Sequence, residues 1–306
     1  MPVFGLIFAG WLSGRLGALG PNAAEEINRF VVWLALPALL FDVISGSTSE
    51  ALWQPEFIAT FALSGLICLG VATVICFHRV PDLAGAAING LNAAYSNIGF
   101  VGFPILLSAL GKDALIPATI GSIITMCVIF AFVIVIIEAA GQKAKGAGIL
   151  DLVAKIGRTL AGNPILLASA IAAVFPVSGA TLPAPARDFV HLLGQAASPC
   201  ALVALGLFLS KRKQTEHTHT AAVIFLATCK LVLHPFLAFL FAKELFGLSH
   251  FSTSAVVLLA ALPTGTGSFM LAAYYGKDPV ISSRAIILTT FVSVVSITTW
   301  LTILSP

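Results

Sequence analysis

The chain has 306 residues, of which 58% are hydrophobic and only 9% charged, against about 45–50% and about 25% in an ordinary soluble domain. A mean hydropathy of +1.03 requires apolar residues on nearly every helix face, a surface that lipid accepts and water does not, which excludes a water-soluble globular protein. The net charge of +3 is too small to point to nucleic acid, and at about 20 residues per span the length leaves no room for a separate soluble domain.

Apolar runs broken by charge, Gly, Pro or Asn predict ten spans, near 2–19, 28–46, 56–78, 83–110, 114–140, 164–182, 188–210, 220–246, 252–276 and 284–304. The first is the shortest and follows Met1 without a basic n-region or a cleavage site, so no cleavable signal peptide is expected. The second contains Leu36-Pro37-Ala38-Leu39, with Asp42 near its outer end, and the seventh contains Ser198-Pro199-Cys200-Ala201 at similar depth. The fourth reads Asn97-Ile98-Gly99-Phe100-Val101-Gly102-Phe103-Pro104 and the ninth Pro263-Thr264-Gly265-Thr266-Gly267-Ser268-Phe269. Glu138 falls near the inner end of the fifth, and Lys230, His234 and Pro235 lie inside the eighth. Cys68, Cys76, Cys127, Cys200 and Cys229 all sit in apolar stretches as small hydrophobes, with no disulfide framework and no CxxC pair.

The basic residues test this count. One side of the membrane collects Arg15, Arg29, Arg79, Lys143, Lys145, Lys155, Arg158, Lys211, Arg212, Lys213, Lys277 and Arg284; the other has Lys112, Arg187 and Lys243, with Lys230 left inside a span. The basic side is expected to be cytoplasmic, which puts both termini outside and the polar connection 141–163 in the cytoplasm. That connection divides the chain into a five-span repeat over 1–140 and a second over 164–306. Because five is odd, the two halves have opposite orientations, the design of many secondary transporters.

The fourth and ninth spans occupy corresponding places in the two halves. Both put Gly, Pro and amide or hydroxyl residues at mid-depth, where they free backbone groups that lipid cannot satisfy. Interrupted segments in matching positions point to a transport site. Asn97 has two readings: an interhelical hydrogen bond, or a substrate ligand beside the freed amides. Thr264, Thr266 and Ser268 either return their hydroxyls to the preceding helical turn or face a cavity. Lys230 and His234, four apart, share a helix face. An ionisable group at that depth is either part of the transport chemistry, as charge balance or coupling, or a structural cation bonded to the open carbonyls of a broken helix. No HExxH, GxSxG, Walker motif or paired intramembrane aspartate occurs, so neither an enzyme nor a cofactor is expected, and active transport would draw on an ion gradient.

Together these residues resemble the auxin efflux carrier family, whose bacterial members include malonate and malate carriers. The likeness runs through Pro2-Val3-Phe4 with Gly10-Trp11-Leu12, Ala35 to Phe41, Ser96-Asn97 leading to Gly102-Phe103-Pro104-Ile105, Gly162-Asn163-Pro164, Lys230 with Pro235, and Ala261-Leu262-Pro263-x-Gly265 with Phe269 and Tyr275-Gly276. The resemblance implies an all-α integral membrane fold of ten helices in two inverted five-helix repeats. The broken fourth and ninth helices cross, as in bile-acid symporters and sodium/proton antiporters. It further implies a scaffold of the first, second, sixth and seventh helices, a moving transport domain of the rest, homodimers formed through the scaffold, and an elevator motion. Plant members have a second asparagine where Ile165 stands, and prolines where Ser96 and Ser268 stand, so auxin itself is not the expected cargo.

The sequence therefore predicts a secondary transporter of small organic anions, mono- or dicarboxylates such as malonate or malate, in the bacterial inner membrane. Asn97, Gly99, Pro104, Pro263, Thr264, Gly265, Thr266, Gly267 and Ser268 form the expected substrate site, Lys230 and His234 are charge-balancing or coupling groups, and Pro37 and Pro199 shape the scaffold helices. Proton, sodium or no coupling ion all fit. The alternatives are a sodium-coupled symporter of bile-acid type and a non-transporting ligand sensor; the lack of a mid-depth carboxylate disfavours the first, and the small loops offer no output domain for the second.

Overall fold

Long apolar runs without a two-residue alternation fold as helices, because a helix pairs every backbone amide within its own segment, and lipid offers no other partner. The computed structural model describes residues 2–143, 158, 162, 164–211 and 219–304. Most of the connection 141–163 and the middle of the Lys211-Arg212-Lys213 cluster onward, through 218, lie outside the described residues.

Helices α1 (Pro2–Arg15), α2 (Ala23–Ser45), α3 (Pro55–Arg79) and α4 (Leu83–Ala94) are followed by α5 over 98–110 and α6 (Lys112–Gly141). Next come α7 (Pro164–Ser178), α8 (Ala184–Ser210), α9 (Thr220–Leu245), α10 (His250–Ala261), α11 (Gly267–Tyr274) and α12 (Val280–Ile303). Six of them, α2, α3, α6, α8, α9 and α12, are long and apolar enough to cross a membrane. The chain is thus an all-helical, multi-pass membrane protein; among the described residues the only extended pairing is one antiparallel bridge, Ser96 with Thr264. The expected fourth span is divided into α4 and α5, and the expected ninth into α10 and α11.

Glycine sets the closest helix contacts. A Cβ on Gly206 of α8 would run into the Ile7 carbonyl oxygen of α1 and lie 2.7 Å from the Trp11 amide nitrogen, and Gly10 of α1 faces the Val203 backbone in the same way. With no side chain between them the two backbones touch, which is how small residues drive helix pairing where lipid removes the hydrophobic incentive. A Cβ on Gly194 would lie 2.8 Å from the Leu39 Cα, so α8 also packs on α2, which in turn carries α7. Pro37 stands in the first turn of regular helix after a wide π-helical turn at Val31–Ala35, and Pro199 lies just past the irregular turn at Ala196 that interrupts α8. Each proline removes an amide donor where the helix is already irregular.

Two side-chain pairs fasten helix ends. His191 Nδ1 approaches Asp42 Oδ2 at 2.7 Å, giving Asp42 a partner across the α2–α8 contact. Lys277 Nζ donates to Asp82 Oδ2 at 2.7 Å, tying the α3–α4 turn to the segment after α11. Partial burial pushes the Asp82 carboxyl up, but the hydrogen bonds from Lys277 and from the Gly85 and Ala84 amides outweigh it and hold the group below its ordinary value.

Candidate functional site

The two helix interruptions meet. The Asn97 amide donates to the Pro263 carbonyl at 2.9 Å, and the Gly265 amide donates to the Tyr95 carbonyl at 2.8 Å. A buried backbone amide or carbonyl needs a partner, so each break satisfies part of the other. The pattern Gly265-x-Gly267 follows from the same contact: a Cβ on Gly265 would stand 2.8 Å from the Tyr95 ring, and one on Gly267 would be closer still to it. The breaks therefore fit only because glycine leaves room for the aromatic ring. Gly102 packs likewise, 2.7 Å from where its Cβ would meet Leu262.

A second set of bonds braces this junction from behind. Asn92, fully buried on α4, accepts the Ser268 hydroxyl on its Oδ1 at 2.7 Å and donates from Nδ2 to the Ser282 hydroxyl of α12 at 3.1 Å. Its backbone carbonyl accepts the Thr264 hydroxyl at 2.7 Å, while the Thr264 amide donates to the Thr289 hydroxyl at 3.0 Å. Thr264 and Ser268, expected among the substrate ligands, thus spend their hydroxyls on Asn92. Replacing Asn92 by alanine keeps the backbone bond from Thr264 but strands the Ser268 and Ser282 hydroxyls, at about 1–3 kcal/mol for each buried group left unpaired. The variant is expected to melt well below the parent protein in detergent, and an unchanged melting temperature would remove Asn92 from the brace.

Four of the remaining predicted residues face a small cavity. Asn97, Gly99, Gly265 and Thr266 line it, joined by Ser96 from the first break and by Ser122 and Thr125 from α6. Val31 and Leu36 of α2, Ala197 and Ala201 of α8, and Met270 of α11 close the other side. Its volume of about 30 Å³ holds a water molecule or two and not a dicarboxylate. Pro263 and Gly267 are buried in the junction and do not line the cavity, and Pro104 lies in the first regular turn of α5.

Three polar side-chain atoms at this cavity have no hydrogen-bond partner among the described residues: Ser96 Oγ, Asn97 Nδ2 and Thr125 Oγ1. Their residues are 2%, 8% and 2% exposed. Unpaired buried polar atoms are uncommon and mark places where a ligand or water belongs. The sequence analysis places neither Ser96 nor Thr125 among the site residues. A helical threonine normally returns its hydroxyl to the carbonyl four residues back, as Thr289 and Thr290 do here, and nothing in the sequence marks Thr125 as an exception. It sits in a wide π-helical turn, Ile124–Ile129; similar turns at Val31–Ala35 and Ile98–Gly102 also reach the cavity.

The helix starts add electrostatics. α5 begins at Ile98 and α11 at Gly267, immediately after the cavity residues Asn97 and Thr266. A helix N-terminus presents free amides and about half a positive charge. The arrangement of neutral donors and two such ends is suited to a ligand rich in acceptor oxygens.

Lys230 and His234 stand apart from the cavity. Lys230 is fully buried in a wide turn of α9, Cys229–Leu233, and its Nζ donates to the Ala260 carbonyl in the last turn of α10, with His234 Nδ1 at 3.3 Å. The last carbonyls of a helix lack intrahelical donors and carry partial negative charge, so the ammonium serves α10 as an end cap. His234 Nε2 has no partner among the described residues and lies on the α3 side, near Gly65 and the Phe61 ring.

The fold and this junction define the class: an integral membrane protein in which two interrupted helices share one small polar cavity. The chain belongs to the membrane transport protein family that includes the auxin efflux carriers; the family model, described as "Membrane transport protein", matches residues 1–301. Over 299 residues it is 32% identical to the "Putative malonate transporter" of Rhizobium meliloti (strain 1021), covering 97% of this chain and 92% of the relative. It is 25% identical over 280 residues to the "Uncharacterized transporter YfdV" of Escherichia coli (strain K12), covering 90% and 87%. Against "Auxin efflux carrier component 8" of Arabidopsis thaliana it is 23% identical over 337 residues, covering 94% and 91%. The protein is accordingly a membrane transporter, not an enzyme, with a small-molecule cargo and lipid surroundings.

Proposed function

We propose that this protein is a secondary active transporter of small organic anions, mono- or dicarboxylates such as malonate or malate, bound where the two breaks meet. The observation that carries the reading is the convergence of Ser96 Oγ, Asn97 Nδ2 and Thr125 Oγ1, all unpaired and buried, at a cavity beside two helix starts. The similarity to a protein named as a malonate transporter favours a short carboxylate. Substrate contacts come from Asn97, Ser96, Thr125, Thr266 and the amides near Gly99; Pro263, Gly265 and Gly267 shape the junction, and Lys230 holds the crossing together.

The cavity is too small for its cargo as it stands, so binding requires α2 and α8 to draw back from the junction. We read α1, α2, α7 and α8 as a scaffold, consistent with their glycine-mediated contacts, and the remaining helices as the moving body of an elevator. In this reading the chain is two inverted five-span repeats, 1–140 and 164–306, joined by a cytoplasmic connection, with both termini outside and the scaffold pairing in a homodimer. The sodium or proton dependence of flux identifies the coupling ion.

Purified protein in proteoliposomes, offered labelled malonate, malate, lactate and indole-acetate with and without sodium and a pH gradient, tests the function. Uptake of a short carboxylate above empty liposomes is expected, and no uptake of any of them in either direction would end the carboxylate reading.

A further inference from the structure

The charge the cavity can hold is countable. None of the described residues lining it is Lys, Arg or His. The buried ammonium of Lys230 is already engaged by the Ala260 carbonyl and does not line it. What remains positive is the pair of helix starts at Ile98 and Gly267, each equivalent to about half an elementary charge, together about one. Ser96, Asn97 and Thr125 add neutral donors, which orient a carboxylate without offsetting a second full charge. A further uncompensated charge in a buried site is strongly disfavoured and is ordinarily removed by protonation.

Resting on the transport reading above, we infer that the site is matched to a single negative charge and that a dicarboxylate is carried as its singly protonated monoanion. The proton travels on the second carboxyl of the substrate, donated to a neighbouring hydroxyl such as Ser122 or Thr266, which both line the cavity and accept as well as donate. It is released to solvent with the substrate at the far face. Each malonate then moves with one proton although no side chain of the protein takes that proton up, and a monocarboxylate moves with none.

The protein's own pH response is read from malonamate, whose charge stays at one across the series. Among the described residues lining the cavity, the titratable side chain is the Tyr95 phenol. The elements that supply the lining also carry Glu25, Glu26, Arg29 and Asp42 on α2, Lys112, Asp113, Cys127 and Glu138 on α6, Arg187, Asp188, His191 and Cys200 on α8 and Tyr274 on α11, and none of these lines it.

The test uses the whole protein in proteoliposomes without a pH gradient, across a pH series spanning the second ionisation of malonate. Initial uptake of labelled malonate is measured together with its inhibition by malonamate, in which an amide replaces one carboxyl and the charge stays at one throughout. The apparent KM for total malonate is expected to rise about tenfold per pH unit above the second ionisation, as the monoanion fraction falls, while the inhibition constant of malonamate stays level. A malonate KM that stays flat or falls with rising pH, or malonamate that does not compete, would overturn the single-charge site while leaving carboxylate transport intact. Absence of uptake of malonate, malate and lactate alike would instead remove the transport reading and this inference with it.

Discussion

Replacing Asn97 by alanine is expected to bring substrate-driven flux down to the level of empty liposomes while leaving the protein as thermostable as its parent. The two halves of this expectation come from different atoms of one residue. The backbone amide of Asn97 donates to Pro263, and alanine keeps that bond. The side-chain Nδ2 has no partner among the described residues, so removing it costs the resting fold no hydrogen bond. Deleting an unsatisfied buried polar atom is neutral or mildly stabilising, whereas losing a hydrogen bond to a charged ligand costs about 1.5–3 kcal/mol, or roughly 10- to 150-fold in affinity. A structural role would give the opposite pattern, with the melting temperature falling together with activity. Side-by-side melting curves and flux measurements on the same preparation distinguish the two, and wild-type flux from the variant would take Asn97 out of the site.

Gly206→Ala is expected to have the largest effect on folding. The new methyl would be driven into the Ile7 carbonyl oxygen, with the Trp11 amide 2.7 Å and the Gly10 Cα 3.0 Å away. All three are backbone atoms of a helix, with no rotamer to change, so α1 and α8 must separate along the length where they touch. Overpacking in a yielding core costs about 1–3 kcal/mol; a rigid backbone wall puts this site at or beyond the top of that range. Gly5→Ala on the same helix is the matched control, since nothing lies within 4 Å of its Cβ, and a helical Gly-to-Ala change is ordinarily favourable by about 0.5–1 kcal/mol. Size-exclusion profiles and melting temperatures in detergent should show Gly206→Ala depleted or aggregated and Gly5→Ala intact. Equal behaviour of the two would mean that α1 and α8 are not in the contact described.

The interruptions were legible in the sequence as Gly, Pro and polar residues gathered at mid-span, but the position of the first was not: Pro263 and Gly265 lie in the second break, whereas Gly99, Gly102 and Pro104 belong to α5 and the first break falls just before them, at 95–97. The direction in which each hydroxyl points was not legible. Thr264 and Ser268 look as available as Thr266 in the sequence, yet the first two are held by Asn92, a partner far away in the chain. Thr125 reads as an ordinary helical threonine, and only its register in a wide turn leaves its hydroxyl unpaired. For Lys230, the shared face with His234 was visible from spacing, but the bond to Ala260 needs the packing of α9 on α10. Asp42 gave no sign of His191 because their attraction operates only after α2 and α8 meet. Local chemistry is written along the chain, whereas the assignment of a polar atom to a partner or to a cavity is a property of the assembled helices.

The mutual pairing of the breaks also bears on how the protein is made. Asn97 enters the bilayer long before Pro263 is synthesised, so during that interval the first break has an amide whose eventual acceptor does not yet exist. Bare backbone polarity is poorly tolerated in hydrocarbon, and the nascent first half must keep that segment near water, or leave it unsettled, until the second half arrives. Neither half expressed alone would settle into its final form, whereas the two made as separate chains in one cell should rescue each other, and the last helices to be inserted complete a structure begun by the first.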